Sequence, residues 1–194
     1  MDYARLAPGE QADRIAVIVT FLRLRARKPA PPTVFPPGVT LTAERLDVAA
    51  YRRLYNEVGA AWLWWLRRMM PDDVLARHLA NPCVNIHVLR VQGEVAGFFE
   101  TDAEPWPAVN LNYFGLLPGF IGQGLGALLL AAAIESVFNQ AGPLREMTVN
   151  TCTADHPRAL PNYLAAGFVE TRRVREIWDI PHRLGLVVPE HLRA

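Results

Sequence analysis

The sequence predicts an α/β fold in which helices flank a mixed β-sheet. Two observations lead to this prediction. Segments of alternating or continuous apolar residues, typical of strands, are separated by segments that begin with helix-start residues. Their order is strand, two or three helices, three strands in a meander, helix, strand, helix and strand. The helices of the second half each lie between two strands, which indicates crossover connections.

The composition is that of one globular domain. The chain has 194 residues, of which 51% are hydrophobic and 20% are charged, and its net charge is +1. So small a net charge offers no electrostatic attraction for nucleic acid or an acidic membrane surface. The longest apolar run is too short to span a bilayer, and charged residues precede any apolar stretch at the N-terminus. We therefore expect a cytoplasmic protein.

The cysteines, Cys83 and Cys152, predict neither a disulfide framework nor a metal site. Their spacing fits no set of metal ligands, and no metal is expected. Both are interpreted as buried free thiols in a reducing compartment.

The N-terminal part is predicted to form a strand arm. Residues 14–25 are rich in β-branched side chains, and arginines alternate with apolar residues near the end of this segment. The Pro-rich stretch "KPAPPTVFPPG" follows, which suits neither a helix nor a central strand. The sequence thus divides into an arm and linker over residues 1–38 and a main domain over residues 39–194.

The first half of the main domain carries helix and hairpin signals. A strand over "VTLTAERL" precedes a helix that Asp47 would cap, and "EVGAAWLWWLRRMM" is predicted to continue helical with Gly59 as a break. "PDDVLARHLA" begins with the proline and acidic residues favoured at a helix N-terminus. The strands "NIHVLRVQ" and "VAGFFET" flank Gly93 and Glu94, which predicts a hairpin.

The second half continues with a strand over "AVNLNYFGLLP" and a helix from about Gly122 to near Gly142. "REMTVNTCT" is typical of a buried strand. "DHPRALPNYLAAG" predicts a short helix with Asp155 as its N-cap and Gly167 after its end. "FVETRRVREIWDI" predicts the closing strand.

The stretch "PGFIGQGLGALLL" predicts a phosphate site. It carries glycines at 119, 122, 124 and 126, directly before an apolar helix. Glycines allow the backbone to adopt positive φ and leave N–H groups open to a ligand. The helix dipole adds partial positive charge at the same point. A tight turn in which the glycines only allow close helix–sheet packing is the alternative.

Two nucleotide motifs fit this stretch less well. A Walker loop needs Lys and Ser or Thr after its last glycine, where this chain has Ala127 and Leu128. A dinucleotide fingerprint matches Gly122, Gly124 and Ala127. Its acidic partner would be Glu146, which stands at the start of the next strand rather than at its end. An NAD(P)-dependent Rossmann enzyme therefore remains a hypothesis, ranked third after the two functions described below.

Two motifs resemble the GNAT superfamily of acetyl-CoA-dependent N-acetyltransferases. "LLPGFIGQGLGA" is similar to the family's V-x-P followed by Q/R-x-x-G-x-G/A, and "HPRALPNYLAAGF" to its N-x-x-A-x-x-x-Y-x-x-x-G-F. The departures are Ile121 for Arg or Gln and His156 for Asn. The resemblance covers residues 39–180. A looser likeness, in "LYNEVGAAW" and "GFFE", is to a GNAT subgroup without a known substrate.

The resemblance implies a central twisted mixed sheet flanked by helices, in an acetyltransferase domain over residues 39–194. It implies transfer of an acetyl group from acetyl-CoA, as co-substrate, to a primary amine that attacks directly in a ternary complex. Thr151 is an alternative pantetheine contact to Asn150. The implied cofactor-binding residues are Leu116, Leu117, Ile121, Gly122, Gln123, Gly124, Leu125, Gly126, Ala127, Asn150 and His156.

The same resemblance implies the catalytic groups. Tyr163 matches the family's general acid, since a phenol held close to the departing thiolate is able to protonate it. Glu100 faces the acceptor side if its strand lies as in the family, and it is the candidate base. Asp102 and Glu104 are lesser candidates.

Trp62 and Trp65 are the candidate substrate-binding residues, because a helix would place them on one face and Trp64 on another. A cluster of arginines is a candidate for the CoA 3′-phosphate or for a solvated strand face: Arg172, Arg173 and Arg175. The expected partners are acetyl-CoA and an amine, without nucleic acid or membrane. The N-terminal arm and the Trp-rich segment would suit a homodimer. The alternative function is a catalytically inactive module that binds CoA or an acyl-CoA as a sensor or scaffold.

Overall fold

The computed structural model describes residues 5–27, 31–140 and 142–194, so the start of the Pro-rich stretch at residues 28–30 lies outside the described residues. The strands are β1 (Ala12–Leu24), β2 (Val39–Glu44), β3 (Val84–Val91), β4 (Glu94–Asp102), β5 (Ala108–Leu116), β6 (Glu146–Cys152) and β7 (Val169–Pro181). The helices are α1 (Val48–Gly59), α2 (Leu66–Met69), α3 (Asp72–Ala80), α4 (Leu125–Phe138) and α5 (Ala159–Ala165).

The strands form one mixed sheet of seven strands in the order β2-β3-β4-β5-β6-β1-β7. The pair β5–β6 is parallel and the other described pairs are antiparallel. A parallel pair needs a crossover, and α4 supplies it. The predicted α/β fold with a mixed sheet flanked by helices is confirmed.

The first strand has a different place from the predicted arm. β1 lies inside the sheet, where Val19 faces Cys152 of β6 on one side and Val174 of β7 on the other. Its apolar alternation fits this position, since Ile15, Val17 and Val19 are all buried. The predicted arm and the predicted main domain therefore contribute strands to the same sheet. The domain boundary at residue 38 stays a prediction.

Both faces of the sheet are covered at β4. Phe98 and Phe99 of β4 are consecutive and fully buried, although consecutive side chains of a strand point to opposite faces. Phe98 packs with residues of α1 and α3, and Phe99 packs with residues of α4. A side chain on either face of this strand is therefore shielded from water, including the charged Glu100.

The segment after α1 corrects the predicted helix. Asp47 caps α1 as predicted and accepts a hydrogen bond from the Ala50 N–H at 2.7 Å. The helix ends at Gly59, and Leu63 has the left-handed φ of 54°. Trp64 folds back onto Gly59 so closely that a Cβ at Gly59 would lie 2.3 Å from the Trp64 Cβ. Trp62 and Trp65 therefore do not share one helical face.

Three predicted boundaries also shift. The helix after the glycines begins at Leu125 rather than Gly122, because Gly124 has a positive φ of 81° and serves as its N-cap. The hairpin turn is formed by Gln92 and Gly93, both with positive φ, and Glu94 already belongs to β4. The N-cap of α5 is Arg158 rather than Asp155. In the described part of the chain, the helices are all too short or too polar to cross a membrane.

Candidate active site

A cleft of about 670 Å³ opens where β5 and β6 diverge. The two strands pair from Ala108 with Glu146 to Leu111 with Val149. Beyond these positions their residues line the cleft instead of pairing with each other. The backbone between the two strands is thus open to a ligand at this point.

A β-bulge in β5 shapes the cleft. Glu100 of β4 faces Tyr113 and the next residue, Thr101, faces Leu111, so Asn112 is an extra residue in β5. The Asn112 amide donates to the Glu100 carboxylate at 2.9 Å. The bulge bends β5 away from β6. The hydrogen bond from Asn112 to the buried Glu100 carboxylate holds the bulge in place.

The glycine loop forms one end of the cleft. Gly122 and Gly124 have φ of 88° and 81°, which side chains adopt at a cost. A Cβ at either position would meet no described atom within 4 Å, so open space lies over the loop. No side chain caps α4, whose first N–H groups are left for a ligand. This arrangement fits a pyrophosphate held by backbone N–H groups.

Most of the predicted cofactor-binding residues lie in the cleft lining. The lining includes Leu116, Ile121, Gly122, Gly124, Gly126, Ala127, Asn150 and His156. Leu117 and Leu125 pack in the hydrophobic core, and the Gln123 side chain donates to the Gly119 carbonyl at 2.8 Å. These three side chains are thus engaged within the protein, and the predicted cofactor binding of Leu117, Gln123 and Leu125 stays a prediction.

Asp155 lines the cleft, although the sequence suggested only a helix cap for it. Its Oδ2 accepts hydrogen bonds from the Thr151 hydroxyl at 2.7 Å and the Cys152 N–H at 2.8 Å. Thr151 is therefore turned away from a pantetheine, while Asn150 faces the cleft. Burial raises the pKa of the Asp155 carboxyl, more than these hydrogen bonds lower it. The sequence signal that was missed is an acid directly after a buried strand, beside His156.

Tyr163 also lines the cleft, near Asp155. Its ring packs against Phe114 and Phe168, with centroids 6.2 and 5.7 Å away. Burial and the charge of Asp155 raise the pKa of the Tyr163 phenol. The phenol therefore stays protonated at neutral pH, as a donor must.

Glu100 is fully buried beneath the cleft and is not part of its lining. Its carboxylate accepts from the Tyr51 hydroxyl at 2.5 Å and from Arg67 at 2.9 Å, and it contacts the His78 ring nitrogen at 2.9 Å. With Asn112, these residues form the Glu100 network.

This environment argues against a base role for Glu100. Burial alone would raise the pKa of Glu100, but the His78 hydrogen bond and the charge of Arg67 lower it to about 2. A carboxylate of that pKa binds a proton weakly at neutral pH, and Glu100 lies outside the cleft lining. Glu100 instead holds the side chain of Arg67 in the cleft wall.

The predicted substrate-binding residues Trp62 and Trp65 line the cleft, and so does Trp64. Trp64 packs between Tyr55 and Tyr113, at 5.3 and 5.1 Å, and Trp65 faces Trp178 of β7 at 6.3 Å. The cleft therefore has an aromatic end opposite the glycine loop.

Trp62 contacts His156 of the loop before α5, with ring centroids 5.0 Å apart. This contact joins the aromatic end of the cleft to the side that holds the predicted cofactor-binding residues. The His156 Nδ1 also accepts from the Arg158 N–H at 3.0 Å, so the ring caps a turn as well as facing the cleft.

The remaining candidates lie outside the cleft lining. Asp102 accepts from the Glu104 N–H at 2.8 Å in a turn at the end of β4, so neither is placed to act as a base. Arg172 stacks on Phe21 at 4.1 Å and Arg173 pairs with Glu170 at 2.7 Å. These contacts favour a solvated strand face for the arginine cluster.

The diverging parallel strands and the glycine loop at a helix N-terminus lie within a segment that matches a known family over more than half of the chain. Residues 51–168 match the family model described as "Acetyltransferase (GNAT) family". The chain belongs to the GNAT acetyltransferase family.

Solved structures support the same fold. A GCN5-related N-acetyltransferase from Sphaerobacter thermophilus matches with a TM-score of 0.63 at 16% identity, over 90% of this chain and 54% of its own length. One from Kribbella flavida matches with a TM-score of 0.56 at 18% identity, over 90% and 63%. A tandem GNAT protein from the clavulanic acid biosynthesis pathway matches with a TM-score of 0.60 at 19% identity, over 91% and 59%.

The chain thus spans little more than half the length of the first of these structures. No curated protein matches the sequence.

Proposed function

We propose that the protein is an N-acetyltransferase that transfers the acetyl group of acetyl-CoA to a primary amine in a ternary complex. The observation that carries this proposal is the cleft itself. Its glycine loop leads through the gap between β5 and β6 to an aromatic end, with Asp155 and Tyr163 among its lining residues. A long thin cofactor and a separate acceptor would therefore meet at these two groups.

The glycine loop supports coenzyme A as the phosphate ligand. The family binds acyl-CoA, and the loop matches its motif in position and in geometry. Binding would be through the backbone, with the pyrophosphate on the N–H groups at the start of α4. Membership of this family favours coenzyme A over a nicotinamide dinucleotide.

Acetyl-CoA should raise the melting temperature by about 5 to 10 °C at a hundred times its Kd, and NADH should leave it unchanged. Gly126→Val tests the loop. A Cβ there would meet only Leu116 Cδ1, at 3.8 Å, so the free protein should keep its stability. Close approach of the pyrophosphate should be blocked, and the Kd for acetyl-CoA should rise at least tenfold by calorimetry.

Gly119→Val is the matched control. Gly119 belongs to the same loop, lies outside the cleft lining and has open space at its Cβ position. It should bind acetyl-CoA like the wild type. Equal affinity in both variants, or stabilisation by NADH instead, would remove the loop from the site.

The chemistry would use Asp155 and Tyr163 as a pair. The ammonium form of the amine first loses a proton to solvent. The nitrogen lone pair then forms a C–N bond to the thioester carbon, and the carbonyl π electrons move onto oxygen. Asp155 takes the proton that the nitrogen loses. When the carbonyl reforms, the C–S bond breaks and the thiolate leaves with a hydrogen bond from the Tyr163 hydroxyl.

Tyr163→Phe should lower kcat by about 10- to 150-fold. An alkyl thiol titrates near 8.5, below the raised pKa of this phenol, so Tyr163 stabilises the leaving thiolate by a hydrogen bond. A hydrogen bond to a charged group contributes about 1.5 to 3 kcal/mol, which corresponds to that loss of rate. Steady-state kinetics should show the loss in kcat, with the Kd for acetyl-CoA unchanged. Unaltered turnover would exclude the role.

The inactive CoA-binding module is tested by the same assays. It would bind acetyl-CoA and release no CoA with any amine. The presence of a carboxyl group with a raised pKa and a protonated phenol in one cleft favours the enzyme.

A further inference from the structure

The aromatic end of the cleft has a composition that selects its ligand. The residues of this aromatic chamber are Tyr55, Trp64, Trp65, Tyr113 and Trp178, of which Tyr55 is fully buried. Tyr55 and Tyr113 are in edge-to-face contact at 4.8 Å. Rings fixed by mutual packing offer flat apolar surfaces at little cost in conformational entropy.

The polar groups of the chamber mostly bond to one another. The Asn110 amide donates to Asn112 at 2.6 Å and accepts from the Thr148 hydroxyl at 2.9 Å. Asn112 in turn donates to Glu100. These groups stiffen the wall, so the ring faces are what the wall presents to a ligand.

The positive charge in the chamber is already compensated. Arg67 lines the cleft and lies over the Tyr113 ring at 5.3 Å, but its guanidinium pairs with Glu100 at 2.9 Å. Arg158, the other arginine in the described lining, is on the exposed turn before α5. A ligand carboxylate in the chamber would therefore have to compete with Glu100 for the charge of Arg67.

Negative charge remains in the chamber. Glu176 lines the cleft, and its Oε2 accepts from the Trp178 indole N–H at 2.8 Å, which fixes this carboxylate beside the rings. Asp155 lies where the chamber meets the cofactor side. Carboxylates among aromatic faces attract a cation, whereas they repel an anion.

We propose that the acceptor is an arylalkylamine: a primary amine on a short chain from an aromatic ring, without a carboxylate. The ring would pack in the aromatic chamber, with the nitrogen directed toward Asp155 and its charge attracted by Glu176 during entry. This inference rests on the proposed acetyl transfer only for the identity of the reacting group.

Calorimetry on the full chain saturated with CoA tests the inference without turnover. 2-Phenylethylamine should bind at least tenfold more tightly than phenylalanine, which differs only by its carboxylate. It should also bind at least tenfold more tightly than propylamine, which lacks the ring, and than spermidine. Glu176→Gln should weaken 2-phenylethylamine about tenfold and leave acetyl-CoA binding unchanged. Glu170→Gln, on the same strand outside the cleft lining, is its control.

Each outcome decides the question. Tighter binding of phenylalanine, propylamine or spermidine, or no binding of 2-phenylethylamine, overturns the arylalkylamine. If 2-phenylethylamine binds as expected and no CoA is released from acetyl-CoA, the ligand class stands and acetyl transfer fails. If spermidine is acetylated in preference, acetyl transfer stands and the ligand class fails.

Discussion

Asp155→Asn should lower kcat by about 10²- to 10⁴-fold, the range that a positioned general base contributes. Asparagine keeps the shape of the side chain and an oxygen that accepts from the Cys152 N–H, as Asp155 does at 2.8 Å. It removes the ability to take a proton and the negative charge that helps to raise the pKa of Tyr163. Initial rates of CoA release, with acetyl-CoA and the best amine, measure this loss.

The pH profile separates this role from a structural one. Asp155 accepts a proton only when it is ionised, and burial raises its pKa. The wild-type rate should therefore fall as the pH drops through that raised pKa, and the variant should lack this limb. A second rise toward pH 10 comes from the amine itself and should remain in both proteins.

The melting temperature provides a second measurement, and unlike kcat it should not fall in the variant. A buried carboxyl whose pKa is raised in the folded state destabilises that state when ionised. Asp155→Asn should therefore keep or raise the melting temperature at neutral pH while it lowers kcat, a trade-off common at active sites.

Asp102→Asn is the matched control, because Asp102 also follows a strand but accepts a hydrogen bond in a turn outside the cleft. It should keep wild-type kinetics. If Asp155→Asn retains the wild-type rate and its acid limb, the proton must leave by another route.

The fold was largely predictable because its signals are local. The glycine loop, the Asp47 cap and the alternation of β1 each depend on a few neighbouring residues. The position of β1 inside the sheet was not predictable, because pairing between Val19 and Cys152 joins residues far apart in sequence. Nothing in the alternation of a strand identifies its neighbours.

The site was predictable where a motif fixes the backbone, and not where burial decides the chemistry. Gly122, Gly124 and Tyr163 belong to the cleft as their motifs imply. Glu100 and Asp155 are both acids at or just after a strand end in the sequence. Arg67 of α2 and His78 of α3 contact Glu100 and keep its carboxylate ionised. Burial instead raises the pKa of Asp155.

Glu100→Gln should lower the free energy of unfolding by about 3 to 5 kcal/mol, the cost of breaking a buried ion pair. The variant leaves the charge of Arg67 in the cleft wall without its carboxylate, and an amide accepts less strongly from Tyr51 and His78. For a chain of this size the melting temperature should fall by roughly 6 to 20 °C. Thermal and urea unfolding at pH 7 measure the change.

Two further variants serve as a control and as a second test of this result. Glu94→Gln lies on the same strand but is exposed, and it should change stability by less than about 0.5 kcal/mol. If Glu100→Gln does not fold, Tyr51→Phe removes one hydrogen bond of the Glu100 network and should cost about 1.5 to 3 kcal/mol. Wild-type stability in both Tyr51→Phe and Glu100→Gln would show that the network does not hold the cleft wall.

At acid pH, the difference in the free energy of unfolding between the wild type and Glu100→Gln should disappear. The pKa of Glu100 is lowered from 4.5 to about 2, so its charge contributes fully above pH 4.5 and that contribution is lost as the pH falls toward 2. The wild type should therefore lose stability over this window more steeply than the variant. Parallel pH dependence in the two proteins would place the pKa of Glu100 near its unfolded value, and Arg67 would then need another partner in the cleft wall.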